Sequence, residues 1–130
     1  MKDLKTGTSG NAEIIVSDKE LAVNAGSGSL EVFATPFMVA LMEKSACNCL
    51  ADYLENDETT VGTEISVKHV SATPNGMKVT AEAILTEING REFVFSVKAY
   101  DETGIIGEGT HRRFLVNGTK FTQKTYSKIK

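Results

Sequence analysis

A single change of hydrophobic period constrains this chain more than any other feature. From Thr35 to about Glu55 the residues are helix-compatible, and Val39, Met42, Ala46, Leu50 and Tyr53 fall on one helical stripe. Thr35-Pro36 is a suitable start, with a hydroxyl at the N-cap and proline at the first helical position, where its missing N–H costs nothing. Asn56-Asp57 supplies the stop. Beyond it the apolar period drops from about 3.6 to about 2. Val61, Thr63, Ile65, Val67, His69 and Ser71 share one strand face, opposite Gly62, Glu64, Ser66 and Lys68. Pro74-Asn75-Gly76 turns the chain, and Met77, Val79, Ala81, Ala83 and Leu85 form the inward set of a second strand. Asn89-Gly90 is a tight-hairpin signal before a third strand carrying Phe93, Phe95, Val97 and Ala99. After a turn at Asp101 to Gly104, Ile105 to Val116 makes a fourth. Glu13 to Val16 reads as a short leading strand and Asn24 to Ser29 as a loop. The expected class is α+β: one helix of about twenty residues, roughly 30 Å long, covering the apolar face of an antiparallel meander.

At 130 residues the chain is one domain, 1–130, with a core that needs no metal or disulfide. Fourteen basic residues against seventeen acidic ones give a net charge of −3, without the basic footprint of a nucleic-acid binder. The composition also excludes disordered and collagen-like classes. The longest apolar run, Phe37 to Met42, is stopped by Glu43-Lys44, far short of a membrane span. No apolar signal core follows the charges of the first residues, so a cytoplasmic protein is expected. Cys47 and Cys49 stand two apart, which suits neither a zinc knuckle nor a redox C-x-x-C. They read as two buried free thiols of a reducing compartment.

Two polar residues interrupt the apolar pattern. Glu43 lies within the helical stripe, where a carboxylate is costly unless it is paired or borders a cavity. His69 shares parity with Ile65 and Val67 and so faces the helix. An inward histidine beside an inward carboxylate is the usual arrangement of a general base near neutral pH. Thr35 serves first as a cap, but its hydroxyl also stands at the positive end of a helix, where developing negative charge is stabilised. Thr35 and Glu43 are eight residues apart, about 12 Å along a helix, so either substrate lies between them or a neighbouring subunit completes the set. Gly107-Glu108-Gly109 lies in a strand with no helix following, which excludes a nucleotide-binding loop and suggests a bulge or a close approach. Gly62 admits a ligand carbonyl near its N–H or merely relieves crowding, and His111-Arg112-Arg113 suits either anion binding or a solvated strand face.

The block Ser29-Leu30-Glu31-Val32-Phe33-Ala34-Thr35-Pro36-Phe37-Met38-Val39-Ala40-Leu41-Met42-Glu43 resembles the signature of the fluoroacetyl-coenzyme A thioesterase-like group of hot-dog fold proteins. The likeness continues through Val61-Gly62-Thr63, Val67-Lys68-His69 and His111-Arg112-Arg113-Phe114, covering about residues 12 to 120. The resemblance implies a long helix wrapped by an antiparallel sheet, paired into a dimer with active sites at the subunit boundary. It implies hydrolysis of an acyl-CoA thioester without metal or bound cofactor, by a homodimer or a tetramer. It also carries the catalytic residues onto Thr35, Glu43 and His69, the oxyanion-binding N–H onto Gly62, and a substrate-binding arginine onto Arg113. The fluoroacyl-selective enzyme of that group has an aromatic lid residue several positions before its A-T-P block. The stretch here is Gly26-Ser27-Gly28-Ser29, with no aromatic until Phe33, which argues against fluorinated-substrate selectivity. The expected activity is hydrolysis of a short- or medium-chain acyl-CoA. A non-catalytic acyl-CoA-binding module, or a hydratase or dehydratase on the same scaffold, are the alternatives.

Overall fold

The computed structural model describes residues 1–129. A five-stranded antiparallel sheet curls around one long helix. The strands are β1 (Ser9–Ile15), β2 (Glu58–His69), β3 (Lys78–Asn89), β4 (Glu92–Asp101) and β5 (Gly104–Asn117), in the spatial order β1-β3-β4-β5-β2. A short α1 (Ala22–Ala25) precedes the central α2 (Thr35–Leu50), and α3 (Gly118–Tyr126) follows the last strand. The α+β class and the wrapped helix are therefore as expected.

The core is the closed space between α2 and the concave sheet face. Met38, Met42, Ala46 and Leu50 of the helix meet Val79, Ala81, Leu85, Phe95 and Val97 of the sheet, all of them buried. The helix packs chiefly on β1 and β3. Its approach to β1 is possible because residue 10 is glycine: a Cβ there would overlap the backbone of Ser45 and Cys49. Gly107 and Gly109 are close approaches of the same kind, against Met38 and the β2 backbone.

Three expectations are corrected, and one element is new. First, β2 does not form a hairpin with β3. It crosses over and pairs with β5, so only β3, β4 and β5 form the meander, and β2 is left as an edge. Alternation along a strand gives its faces but not its neighbour. Second, α2 ends at Leu50, and Ala51–Tyr53 tighten into a 3-10 turn rather than continuing to Glu55. Third, a further helix, α3, follows the last expected strand, and none of its residues is buried. It begins where the Asn117 side chain accepts from the Lys120 N–H at 3.0 Å. Fourth, Cys49 is buried but Cys47 is exposed on the outer face of α2.

Candidate active site

Local pairing brings the start of α2 beside the end of β2. Phe33 N–H donates to Thr73 O at 2.9 Å, tying the strap before the helix to the segment that follows His69, and Ala34 N–H donates to Glu20 O at 2.8 Å, tying it also to the turn before α1. The N-cap is Ala34, and Thr35 is already helical, with no side-chain cap bond. The expected capping role of Thr35 is therefore replaced by another contact. Its Oγ1 lies 2.7 Å from His69 Nδ1, within hydrogen-bond distance. The pair lines a cleft of about 430 Å³ whose walls include Gly28, Leu30, Phe33 and Val70. The edge of the Phe33 ring meets the imidazole, with centroids 6.5 Å apart. His69 Nε2 is closed to solvent and has no hydrogen-bond partner among the described residues. Burial lowers the His69 pKa, outweighing the opposite pull of the Ser71 backbone. The ring is thus neutral and able to accept a proton at neutral pH.

Glu43 lies elsewhere. Its carboxylate borders a second cleft, of about 240 Å³, with Gly62, Thr63, Ile65 and His111. Glu43 Oε2 is 3.6 Å from Arg113 Nη1, and the side chain is 41% exposed. Within one chain the expected residues therefore form two groups lining separate clefts, Thr35 with His69 and Glu43 with Gly62, the latter backed by Arg113.

Gly62 reaches Glu43 through a β-bulge. The β2–β5 register slips between Gly62 and Glu64, leaving Thr63 as the extra residue. The bulge reverses the parity expected for the first half of β2. Thr60 and Gly62 face the helix, while Thr63 turns its hydroxyl to Arg112 O at 3.2 Å. A Cβ on residue 62 would stand 2.9 Å from Glu43 Oε2 and 3.2 Å from Arg113 Nη1, so glycine is what lets the carboxylate and guanidinium close over the strand.

The His111-Arg112-Arg113 run divides by face. Arg112 points outward and pairs with Glu64 and Glu92. Arg113 and His111 are buried. Arg113 donates from Nε to Thr60 Oγ1 at 2.9 Å and from Nη2 to Thr60 O at 3.0 Å. Thr60 and His111 were not singled out by sequence reasoning as parts of this group. A glycine followed by threonine inside a long strand is the signal of a bulge that re-aims them. Among the described residues no three His, Cys, Asp or Glu side chains gather into a metal-holding cluster, and no helix is long and apolar enough to cross a membrane.

Both histidines have depressed pKa values, His111 through burial and the charge of Arg113. The unfolded chain takes up protons at its histidines near the ordinary value of 6.5, which the folded chain declines. Stability is therefore full above that pH and falls as the pH drops below it. Thermal melts from pH 7.5 to 5 in a constant-ionic-strength buffer check this; a Tm that rises on acidification contradicts it.

A helix enclosed by a curled antiparallel sheet, with a hydroxyl–imidazole pair at the helix start, defines a hot-dog fold of the thioesterase kind. Residues 16–119 match the family described as fluoroacetyl-CoA-specific thioesterase. The chain is 45% identical over 98 residues to the fluoroacetyl-CoA thioesterase of Streptantibioticus cattleyicolor, covering 75% of this chain and 70% of that protein. It superposes with a TM-score of 0.92 and 34% identity on a variant of the fluoroacetyl-CoA protein FlK in complex with acetyl-CoA, covering 98% of this chain and 100% of that one. A hot-dog-like protein from Thermanaerovibrio acidaminovorans shares the fold at a TM-score of 0.86 and 22% identity, covering 96% of this chain and 93% of that one. The chain belongs to the fluoroacetyl-CoA-specific thioesterase family, and it is a thioesterase.

Proposed function

We propose that this protein hydrolyses a short- or medium-chain acyl-CoA to the free acid and CoA, at a site shared by two subunits. One subunit supplies Thr35 and His69, and the other supplies Glu43 and Gly62. The observation that carries this reading is the 2.7 Å contact between Thr35 Oγ1 and His69 Nδ1 at the wall of an open cleft. A hydroxyl in hydrogen-bond reach of a neutral imidazole is the signature of an activated oxygen nucleophile.

In this reading His69 draws the Thr35 proton onto Nδ1 as an oxygen attacks the thioester carbonyl carbon. That oxygen is either Thr35 Oγ1 itself or a water that passes its proton through the hydroxyl. The carbonyl oxygen becomes an oxyanion held by the Gly62 N–H and by the positive end of α2, and one such donor supplies about 3 kcal/mol. The C–S bond then breaks, and the CoA sulfur takes the proton from His69. If Thr35 was the nucleophile, water hydrolyses the acyl ester with His69 again the base. A burst of free thiol in the first turnover marks that covalent route. Glu43 cooperates from the opposite wall by orienting the attacking water, and Arg113 anchors the carboxylate from beneath. His69 Nε2 is closed to solvent, so a carboxylate arriving from a second chain meets the pair from its Thr35 side.

The shared site is supported by the edge position of β2. This strand of 12 residues pairs with β5 on one side and, among the described residues, with no strand on the other, and such an edge is a ready template for another strand. Antiparallel pairing of two β2 strands about a two-fold axis between Ile65 and Ser66 sets His69 beside Gly62 of the partner subunit. The isolated chain also exposes 7646 Å², more than the roughly 6,700 Å² of a compact monomer of this mass.

Free-thiol release from a panel of acyl-CoA thioesters, graded by chain length and including fluoroacetyl-CoA, tests the activity. Wild-type rates no better than those of His69→Ala across the panel remove it. Enoyl-CoA hydration measured alongside separates a hydratase. Gly62→Ala is expected to push the flexible end of Glu43 aside, lowering kcat/KM about tenfold or more while moving Tm by only about 2 °C. Unchanged kinetics in that variant remove Gly62 and Glu43 from the site.

A further inference from the structure

We propose that His111 is a positioning residue, whose neutral imidazole aims the Arg113 guanidinium and thereby fixes the Glu43 carboxylate. His111 is 1% exposed, and its ring stacks on Phe95 with centroids 6.1 Å apart. Its Nδ1 lies 2.8 Å from the backbone carbonyl oxygen of Glu64. A carbonyl only accepts, so Nδ1 carries the hydrogen and Nε2 is left with a lone pair. Arg113 Nη1, which can only donate, lies 3.2 Å from that Nε2. The tautomer is thus fixed by two partners of opposite kind. A second proton would set one N–H against another.

The guanidinium is held at three points. Thr60 takes Nε and Nη2 with its hydroxyl and carbonyl, and His111 takes Nη1, the arm that also lies 3.6 Å from Glu43 Oε2. Glu43 itself has a long, 41% exposed side chain, so an anchored cation beneath it limits where its carboxylate sits. The charged groups facing the ring are Arg113 from its own strand and Glu43 from α2, while β2 and β4 present a backbone carbonyl and an aromatic ring. The Glu64 carboxylate is turned outward to Arg112.

The kinetic consequence rests on the hydrolase reading above; the tautomer does not. His111→Gln brings an amide oxygen near the place of Nε2 and keeps an acceptor for Arg113. His111→Asn keeps a donor near Nδ1 for Glu64 but leaves Nη1 without an acceptor. The expected result is kcat about tenfold lower for the Asn variant with KM changed less than about threefold, and kcat within about threefold of wild type for the Gln variant. In an Arg113→Lys background the Asn substitution is expected to cost less than about twofold more, because the two residues act as one unit. A merely structural His111 predicts an Asn variant at least as active as the Gln variant and additive losses, and that result overturns the proposal. Ring nitrogen NMR of the wild-type chain provides an arm independent of turnover. The expected spectrum shows the Nδ1–H tautomer persisting below the ordinary histidine value of 6.5, and the His111 pKa rising in Arg113→Ala. An Nε2–H tautomer overturns the proposal whatever the activity. The expected tautomer in a chain without thioester turnover supports the lock and refutes the hydrolysis instead.

Discussion

His69→Ala is expected to lower kcat/KM on the best acyl-CoA thioester by about a thousandfold, the range of a lost general base. The reason is geometric. Nδ1 lies 2.7 Å from Thr35 Oγ1; in the proposed mechanism it accepts the hydroxyl proton, and removing it leaves that proton no basic destination. Folding is expected to change little. The ring carries a buried nitrogen without a hydrogen-bond partner, so its removal relieves an unsatisfied group and offsets the lost contact with Phe33. Thr35→Val follows the same logic, removing the hydroxyl while keeping the shape. Thr35→Ser keeps the hydroxyl and retains most of the rate. Steady-state thiol release together with a thermal melt reads all three variants. A His69→Ala protein with wild-type rate and intact Tm would remove the imidazole from the mechanism.

Glu43→Gln is expected to cost about a hundredfold in kcat/KM with Tm nearly unchanged. The side chain is 41% exposed and its ion pair with Arg113 is long, at 3.6 Å, so neutralising it forfeits little stability. Glutamine preserves the volume above Gly62 and can still meet the guanidinium with its carbonyl. It presents an amide donor where the attacking water needs an acceptor. A loss confined to KM contradicts the assigned role, because it would make Glu43 a binding group and not one that acts at the reacting centre.

How far the sequence disclosed this arrangement depends on which interaction is asked about. Local and periodic features were legible: the strand faces from Met77 onward, the Asn89-Gly90 turn where Gly90 has φ of 63°, and the apolar stripe through Met42, Ala46 and Leu50. The interruptions of pattern at Glu43 and His69 pointed to both clefts. Long-range choices were not legible. Period-2 alternation fits β2 beside β3 or beside β5 equally well, and the pairing with β5 is fixed by contacts between residues about fifty positions apart, such as Thr60 with Arg113. The bulge at Thr63 reverses strand parity over a few residues, so the inward position of Gly62 came from resemblance and not from alternation. The Thr35 hydroxyl satisfies every rule for a helix cap, yet it is turned away to an imidazole. Local propensity had no means of weighing a partner thirty-four residues distant.

The shared site is tested most directly by combining two defective subunits. His69→Ala and Glu43→Gln chains carrying different affinity tags are co-expressed, and the mixed species holding both tags is isolated. If each site draws Thr35 and His69 from one chain and Glu43 from the other, the mixed dimer contains one doubly defective site and one intact site. Its thiol-release rate is then about half that of wild type. A mixed dimer no more active than its two parents would mean that each site is built from one chain alone, and would contradict the account.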